Sequence, residues 1–209
     1  MTAAPDEGQV TEGARSLEVR WIFPGQLDTA MAEWLGRFPG QPESREDTYL
    51  VRPRMRGLSV KVRAGQALEV KVYRGSPGIL EVAGRARGRL QYWQKWSFPF
   101  RPLSQDSSPA GWQPVTKTRR LSRFTLAGRP VRVTAPGPAT GPACTVELTE
   151  VRLRGKAWWS LGFEAAGAAG LLRSGLEATA ALVFAQALPG GVQLGPEDSR
   201  SYVEWLWRQ

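Results

Sequence analysis

The sequence predicts a β-rich α+β fold in which about eight strands follow one another with few interruptions. Three observations carry this. Short runs alternate apolar and polar side chains, the period of a strand with one buried face. Gly and Pro pairs such as Pro24-Gly25 and Pro39-Gly40 punctuate the runs. Only two stretches, one after Asp28 and one from Leu171 to Leu188, read as helices. Strands in sequential order with two helices form a sandwich or a barrel.

Each element follows from its own residues. Residues 1–15 are polar and partly acidic and are expected to be a disordered lead-in, leaving residues 16–209 as one domain. Ser16 to Phe23 is a strand with Leu17, Val19, Trp21 and Phe23 on one face and Ser16, Glu18, Arg20 and Ile22 on the other. Asp28 caps a helix from Thr29 to about Arg37, with Met31, Trp34 and Leu35 on one side. Phe38 to Pro42 reads as a turn. Strands fill Asp47 to Arg74. Leu58, Val60 and Val62 alternate with Ser59, Lys61 and Arg63, and Leu68, Val70 and Val72 alternate with Glu69, Lys71 and Tyr73. Ala64-Gly65-Gln66 joins the two runs as a hairpin. After a turn at Gly75 to Gly78, a basic aromatic strand runs from Gly88 to Pro99. Arg101 to Gly111 reads as a loop. Trp112 to Phe124 is a strand carrying Val115, Lys117 and Arg119 at spacing two. Thr134 to Ala143 reads as a loop within the domain, followed by strands at Thr145 to Leu153 and Ala157 to Ala165. The helix at Leu171 to Leu188 and the segment Ser199 to Trp207 close the chain.

Composition narrows the chemistry. The chain has 209 residues, 42% of them hydrophobic, with nine Trp, enough for a sizeable core. Lys and Arg number 28 against 19 acidic residues, a formal +9 that suits an anionic partner. Cys144 is the one cysteine and there is no histidine, which excludes an internal disulfide, a Cys/His zinc site and any Ser-His or Cys-His nucleophilic pair. Cys144 is expected to be a small core residue. The start has no basic segment followed by an apolar core, and Leu176 to Leu188 is too short to span a bilayer and contains Glu177, so a cytoplasmic protein without membrane attachment is expected.

The polar faces carry Glu18, Arg20, Lys61, Arg63, Glu69, Lys71, Lys117, Arg119, Glu147 and Glu164. One reading is a solvated outer face of mixed charge, in which each ion pair contributes little. The other is a closed barrel with the charged face inside and the apolar face as an outer wall covered by helices. Unpaired charges are costly there, so the cations would clamp phosphate oxygens while carboxylates hold a divalent metal. Tyr92, Trp93, Lys95 and Trp96 interleave aromatics with a cation, which can stack single-stranded bases but more often packs a barrel wall. Arg52, Arg54 and Arg56 share strand parity and could meet phosphate, although a solvated edge that discourages strand pairing is the preferred reading; Arg85, Arg87 and Arg89 share that ambiguity, and Ser199 and Arg200 are candidates for a tunnel mouth.

Glu18-Val19-Arg20, DTYL at Asp47, KVR at Lys61, EVKVYRG at Glu69, KTR at Lys117, VELTEV, and GFEAAG occur in an order that resembles the CYTH family of triphosphate tunnel metalloenzymes. That family includes thiamine triphosphatase, inorganic triphosphatases and class IV adenylyl cyclases. The resemblance spans Ser16 to Trp207 and rests on the order of several weak motifs. It implies an eight-stranded antiparallel tunnel-like barrel with a few flanking helices. It implies Arg20, Lys61, Arg63, Lys71, Lys117 and Arg119 as phosphate-binding cations, Glu18, Glu147 and Glu164 as ligands of Mg²⁺ or Mn²⁺, and Glu18, Lys71 and Glu164 as catalytic groups. The sequence departs from the family at both ends of the metal set. Ser16 and Gly162 stand where the family has the first Glu of a Glu-x-Glu motif, and Thr149 stands near an expected Asp, with Glu147 and Glu150 as neighbours that could substitute. Arg20 replaces a Lys with a planar fork.

Two functions follow as expectations. One is metal-dependent hydrolysis of a triphosphate-containing small molecule: inorganic triphosphate, thiamine triphosphate or a nucleotide. The other is a module in the same fold that binds polyphosphate or nucleotides without turnover. A nucleic-acid-binding barrel is a weaker third reading, because carboxylates on the cationic face repel a phosphate backbone.

Overall fold

The computed structural model describes residues 13–100, 110–126, 132–134 and 141–209. Its elements are β1 (Ala14–Pro24), α1 (Thr29–Gly36), β2 (Gln41–Leu50), β3 (Leu58–Arg63), β4 (Ala67–Gly75), β5 (Ile79–Val82), β6 (Ala86–Arg89), β7 (Gln91–Pro99), β8 (Trp112–Thr125), β9 (Arg132–Thr134), β10 (Ala143–Leu153), β11 (Lys156–Ala166), α2 (Ala169–Val183) and α3 (Tyr202–Leu206). Most of the expected lead-in, of the 101–111 loop and of the 134–143 loop lies outside the described residues. β1 begins at Ala14, two residues before the expected start. β2 begins at Gln41, inside the turn expected from Phe38 to Pro42 and six residues before the expected strand start at Asp47.

The strands close on themselves. Their order is β10-β11-β1-β7-β4-β3-β2-β8, and β8 pairs back to β10, with every pairing antiparallel. The result is a closed eight-stranded antiparallel barrel, β-rich, with three α-helices among the described residues. Closure leaves these eight strands without a free edge. β2 pairs with β8 as far as Gln41 opposite Leu121, and β9 then lies beside Arg123 to Thr125. β5 and β6 form a separate two-stranded hairpin.

Alternation sends one set of side chains outward on β1, β10 and β11. Leu17, Val19, Trp21, Val146, Leu148, Leu161 and Phe163 meet Leu172, Leu176, Ala180 and Val183 of α2 in the main core, which also takes Met31, Trp34 and Leu35 of α1. Each such burial contributes about 1.5–3 kcal/mol. Asp28 accepts the Ala30 N–H at 2.7 Å and starts α1 as expected. Trp21 anchors the β5–β6 hairpin by donating its indole N–H to the Arg87 carbonyl at 2.9 Å. Gly88 is required there, because a Cβ would lie 2.5 Å from the Trp21 ring. Trp158 and Trp159 point to opposite faces, Trp159 stacking on Phe23 outside and Trp158 meeting Trp205 inside.

A second, smaller core lies inside the barrel. Ile22, Tyr49, Val115, Val151 and Leu153 have the inward parity of Arg20, Lys117 and Glu147, and they pack on Trp205 and Leu206 of α3. So α3 fills one end of the barrel. A capping box starts it: Ser201 Oγ accepts the Glu204 N–H, and Glu204 accepts the Ser201 N–H at 2.8 Å. The outer wall is not helix-covered throughout, contrary to expectation. Leu58, Val60, Val62, Leu68, Val70 and Val72 on β3 and β4 are half-buried and belong to neither core.

Candidate functional site

The inward faces converge on a cavity of about 130 Å³. β1 contributes Glu18 and Arg20, β2 Arg45 and Tyr49, β3 Lys61 and Arg63, and β4 Glu69 and Lys71. β7 adds Trp93 and Lys95, β8 Lys117 and Arg119, β10 Glu147, and β11 Glu164. All nine residues expected at the site, Glu18, Arg20, Lys61, Arg63, Lys71, Lys117, Arg119, Glu147 and Glu164, line this one cavity. The solvated-face reading therefore fails for them. The register explains the convergence: Glu18 lies opposite Glu164, Arg20 opposite Gly162, and Lys61 opposite Glu69.

The charges are wired into one network through Asp47, Glu43, Glu69 and Glu147 and a separate group around Lys71. Asp47, fully buried, accepts from Lys61 at 3.0 Å, Lys117 at 3.2 Å and Arg45 at 2.9 Å. Burial pushes its pKa up, but Lys117, Lys61 and Arg45 together outweigh this and hold it below the usual carboxylate range. Lys117 also donates to the Tyr49 hydroxyl at 2.6 Å, and its burial draws its own pKa down. Glu147 accepts from Arg20 at 2.8 Å, Arg119 at 2.7 Å and the Thr149 hydroxyl at 2.9 Å. Despite its burial, these guanidiniums hold it well below the ordinary value. Lys71 bridges Glu18 at 2.7 Å and Glu164 at 3.5 Å. Near Arg63, Glu69 pairs with Lys61 at 3.1 Å and Arg63 at 3.3 Å, and Glu43 accepts from Arg119 at 3.0 Å and Arg45 at 2.6 Å.

Cations outnumber acids on this wall. Eight cations line the cavity against four carboxylates. Counting Asp47 and Glu43, which pair with those cations from within the wall, still leaves two positive charges in excess. Lys95 forms no ion pair among the described residues. A concave, cation-rich surface of this kind favours an anion of several charges, because both the desolvation and the cation–cation repulsion are offset by the guest.

α3 enters the site through Tyr202. The Arg20 guanidinium lies over its ring at 4.5 Å and Lys117 Nζ at 3.9 Å, while the Tyr202 hydroxyl meets Ser160 Oγ at 3.0 Å. A larger cavity of about 540 Å³ adjoins the tunnel beside α3 and shares Gln91, Trp93, Ser201 and Val203 with it.

The carboxylates do not fit a divalent cation as they stand. Hard cations take six or more oxygen ligands, several from carboxylates. Glu18, Glu147 and Glu164 instead each meet a Lys or Arg within the cavity, and among the described residues no three His, Cys, Asp or Glu side chains converge. Ser16 donates to Glu18 at 2.6 Å where the family pattern has a carboxylate. At Gly162 a Cβ would lie 2.8 Å from Arg20 Cζ, so the guanidinium fills the space a second acid would need. Glu150 is exposed on the outer face and offers no substitute.

Several site residues were missed from sequence. Glu43, Arg45, Asp47 and Tyr49 share one parity on β2. That spacing was legible, but Pro39-Gly40-Gln41-Pro42 obscured the start of the strand. Lys95 and Trp93 point inward, whereas the aromatic patch suggested packing. Tyr202 had no sequence signal, since its place depends on where α3 docks. Arg52, Arg54 and Arg56 lie in the turn between β2 and β3, not on a strand edge. Arg87 pairs with Glu81 at 3.9 Å and Arg89 binds Glu204, both away from the charge clusters. Ser199 accepts the Arg89 N–H at 2.8 Å and Arg200 donates to the Glu197 carbonyl at 2.7 Å, so both brace the approach to α3. No helix among the described residues is long and apolar enough to cross a membrane.

No protein-family model matches the chain, and no curated protein matches it by sequence. Among solved structures it is similar to a conserved hypothetical protein from Pyrococcus furiosus, at 17% identity and a TM-score of 0.48, over 90% of this chain and 98% of that one. It is also similar to the S. pombe Pct1 RNA triphosphatase, at 12% identity and a TM-score of 0.42, over 81% of this chain and 79% of that one. The same enzyme in complex with the Spt5 CTD aligns at 11% identity and a TM-score of 0.42, over 84% of this chain and 80% of that one.

Proposed function

We propose that this chain binds a triphosphate-bearing small molecule inside the barrel, with inorganic triphosphate as the simplest ligand. The observation that carries the reading is the excess of cations facing one another across a cavity of about 130 Å³. Arg20, Lys61, Arg63, Lys71, Lys117 and Arg119 contact the phosphate oxygens. The arginines use their planar forks and the lysines act as point charges. The guest takes over cations that are otherwise held by Glu18, Glu69, Glu147 and Glu164, so binding is an exchange of one set of anionic partners for another. The motif order that resembles the triphosphate tunnel family supports the same ligand class.

Binding is the part of the expected function that the geometry favours. Hydrolysis would need a group that orients water, and Glu18 and Glu164 are the candidates. Both are engaged by Lys71. We therefore read the site as one that holds triphosphate, with nucleotides as larger relatives of the same ligand.

Calorimetric titration of tripolyphosphate into the full chain tests this. Binding is expected to fall roughly 10- to 100-fold for each of Lys71→Ala and Arg119→Ala, the loss of one charge-assisted contact. A native chain that binds no better than the doubly substituted one would sink the reading. Orthophosphate release, assayed in the same samples with Mn²⁺, reads turnover separately.

A further inference from the structure

The place of Arg20 goes further than the charge count. Its guanidinium donates to Glu147 at 2.8 Å and to Ser160 at 3.2 Å, and its flat face rests on the Tyr202 ring at 4.5 Å. Glycine at 162 opens the space: the guanidinium carbon would lie 2.8 Å from any Cβ there. Arg119 takes the second oxygen of Glu147 at 2.7 Å. The oxygens that could coordinate a metal at this end of the cavity are thus saturated by two fixed guanidiniums. Across the cavity Lys71 bridges one oxygen of Glu18 at 2.7 Å and one of Glu164 at 3.5 Å. A dication brought to Glu147 would have to displace a guanidinium that the barrel holds in place, and one brought to Glu18 or Glu164 would sit beside Lys71. Like charges in contact within a low-dielectric cavity repel strongly.

We propose that Arg20 does in this barrel what a divalent cation would otherwise do, neutralising the phosphate chain, so that the tunnel takes its ligand as the free anion and Mg²⁺ opposes binding. This rests on the reading that the cavity receives triphosphate. Arg20 then has two anionic partners, Glu147 behind it and a phosphate oxygen in front, and its planar fork can serve both at once. Burial alone would lower the Arg20 pKa, but Glu147, Tyr202 and Glu18 raise it above the ordinary value, so the charge is permanent. A built-in cation also needs no dehydration on entry, whereas Mg²⁺ sheds its waters reluctantly.

The test is calorimetry of tripolyphosphate with the full chain, once in EDTA and once in excess Mg²⁺, alongside titration of MnCl₂ alone followed by electron paramagnetic resonance. The expected results are binding in EDTA, affinity at least tenfold weaker in Mg²⁺, and no protein-bound Mn²⁺. Arg20→Gln should lower the affinity in EDTA tenfold or more, and Arg20→Lys should restore part of it. If Arg20→Gln fails to fold, the metal dependence of the native chain and the Arg20→Lys titration decide. Tighter binding in Mg²⁺, binding that requires it, or an Arg20→Gln chain of unchanged affinity would overturn the role of Arg20 and leave the triphosphate reading standing. Absence of binding in both buffers would remove the triphosphate reading and this inference with it.

Discussion

At the scale of the residue, Asp47 is the buried acid on which three of the eight cavity cations lean. It has no exposed surface, and three cations converge on its two oxygens. Lys117 behind it is itself only 2% exposed. Removing one partner of a buried ion pair is far worse than removing both, because a charge is left without compensation. Asp47→Asn is therefore expected to destabilise the fold by about 3–5 kcal/mol, which urea denaturation at neutral pH would measure. A loss below about 1 kcal/mol would show that Lys61, Lys117 and Arg45 find other partners. Charge parity on β2 is readable from Glu43, Arg45 and Asp47 at spacing two. That Asp47 rather than Glu43 becomes the buried hub is not, since burial depends on which strands close over it.

At the scale of the element, α3 is five residues long and cannot be stable alone. Its place is fixed by Trp205 and Leu206, which enter the barrel among Ile22, Val115, Val151 and Leu153. It thereby brings Tyr202 against Arg20 and Lys117. Trp205→Ala is expected to cost about 3–5 kcal/mol, from lost burial and from the cavity left behind. It should also weaken tripolyphosphate binding, because Tyr202 no longer holds the Arg20 plane. Measured together, a stability loss without an affinity loss would mean that Arg20 is oriented by Glu147 and Ser160 alone. The strands show the opposite behaviour. Their alternation is local, so β1, β3, β4, β8, β10 and β11 were readable to within two residues at each end. β2 was cut short because its Pro-Gly entry gave a turn signal, and pairing with β8 along its full length overrode that signal.

At the scale of the whole molecule, the chain carries a formal +9 and yet encloses six acids among its tunnel cations. That arrangement ties stability to pH. Burial raises the Glu69 pKa, Lys61 and its neighbours lower it more, and the net value is about 2 against an ordinary 4.5. Asp47 and Glu147 are shifted the same way. A carboxylate whose folded pKa is depressed adds stability above its unfolded value, and that stability is lost as pH falls through the folded one. Stability is therefore expected to hold down to about pH 4.5 and to fall towards pH 2, with Glu69 alone accounting for about 3 kcal/mol. Urea midpoints at pH 6 and pH 3 would show it, and Glu69→Gln should shrink the difference. Equal midpoints at the two values would contradict the depressed carboxylates.

By itself the sequence determined which side chains share a face, because that depends only on the period of two along each strand. Lys61, Arg63 and Lys71 on one side, with the aliphatics on the other, is a local fact. The absence of histidine and of a second cysteine likewise excluded whole classes of chemistry before any fold was known. Only the tertiary structure decided that the charged sides face inward, which carbonyl and amide rows meet to close the ring, and which acid neutralises which base. Those depend on register between strands far apart in the chain and on the docking of a five-residue helix. Burial, the quantity that turns a charged strand face into a binding site, exists only once the last strand has met the first.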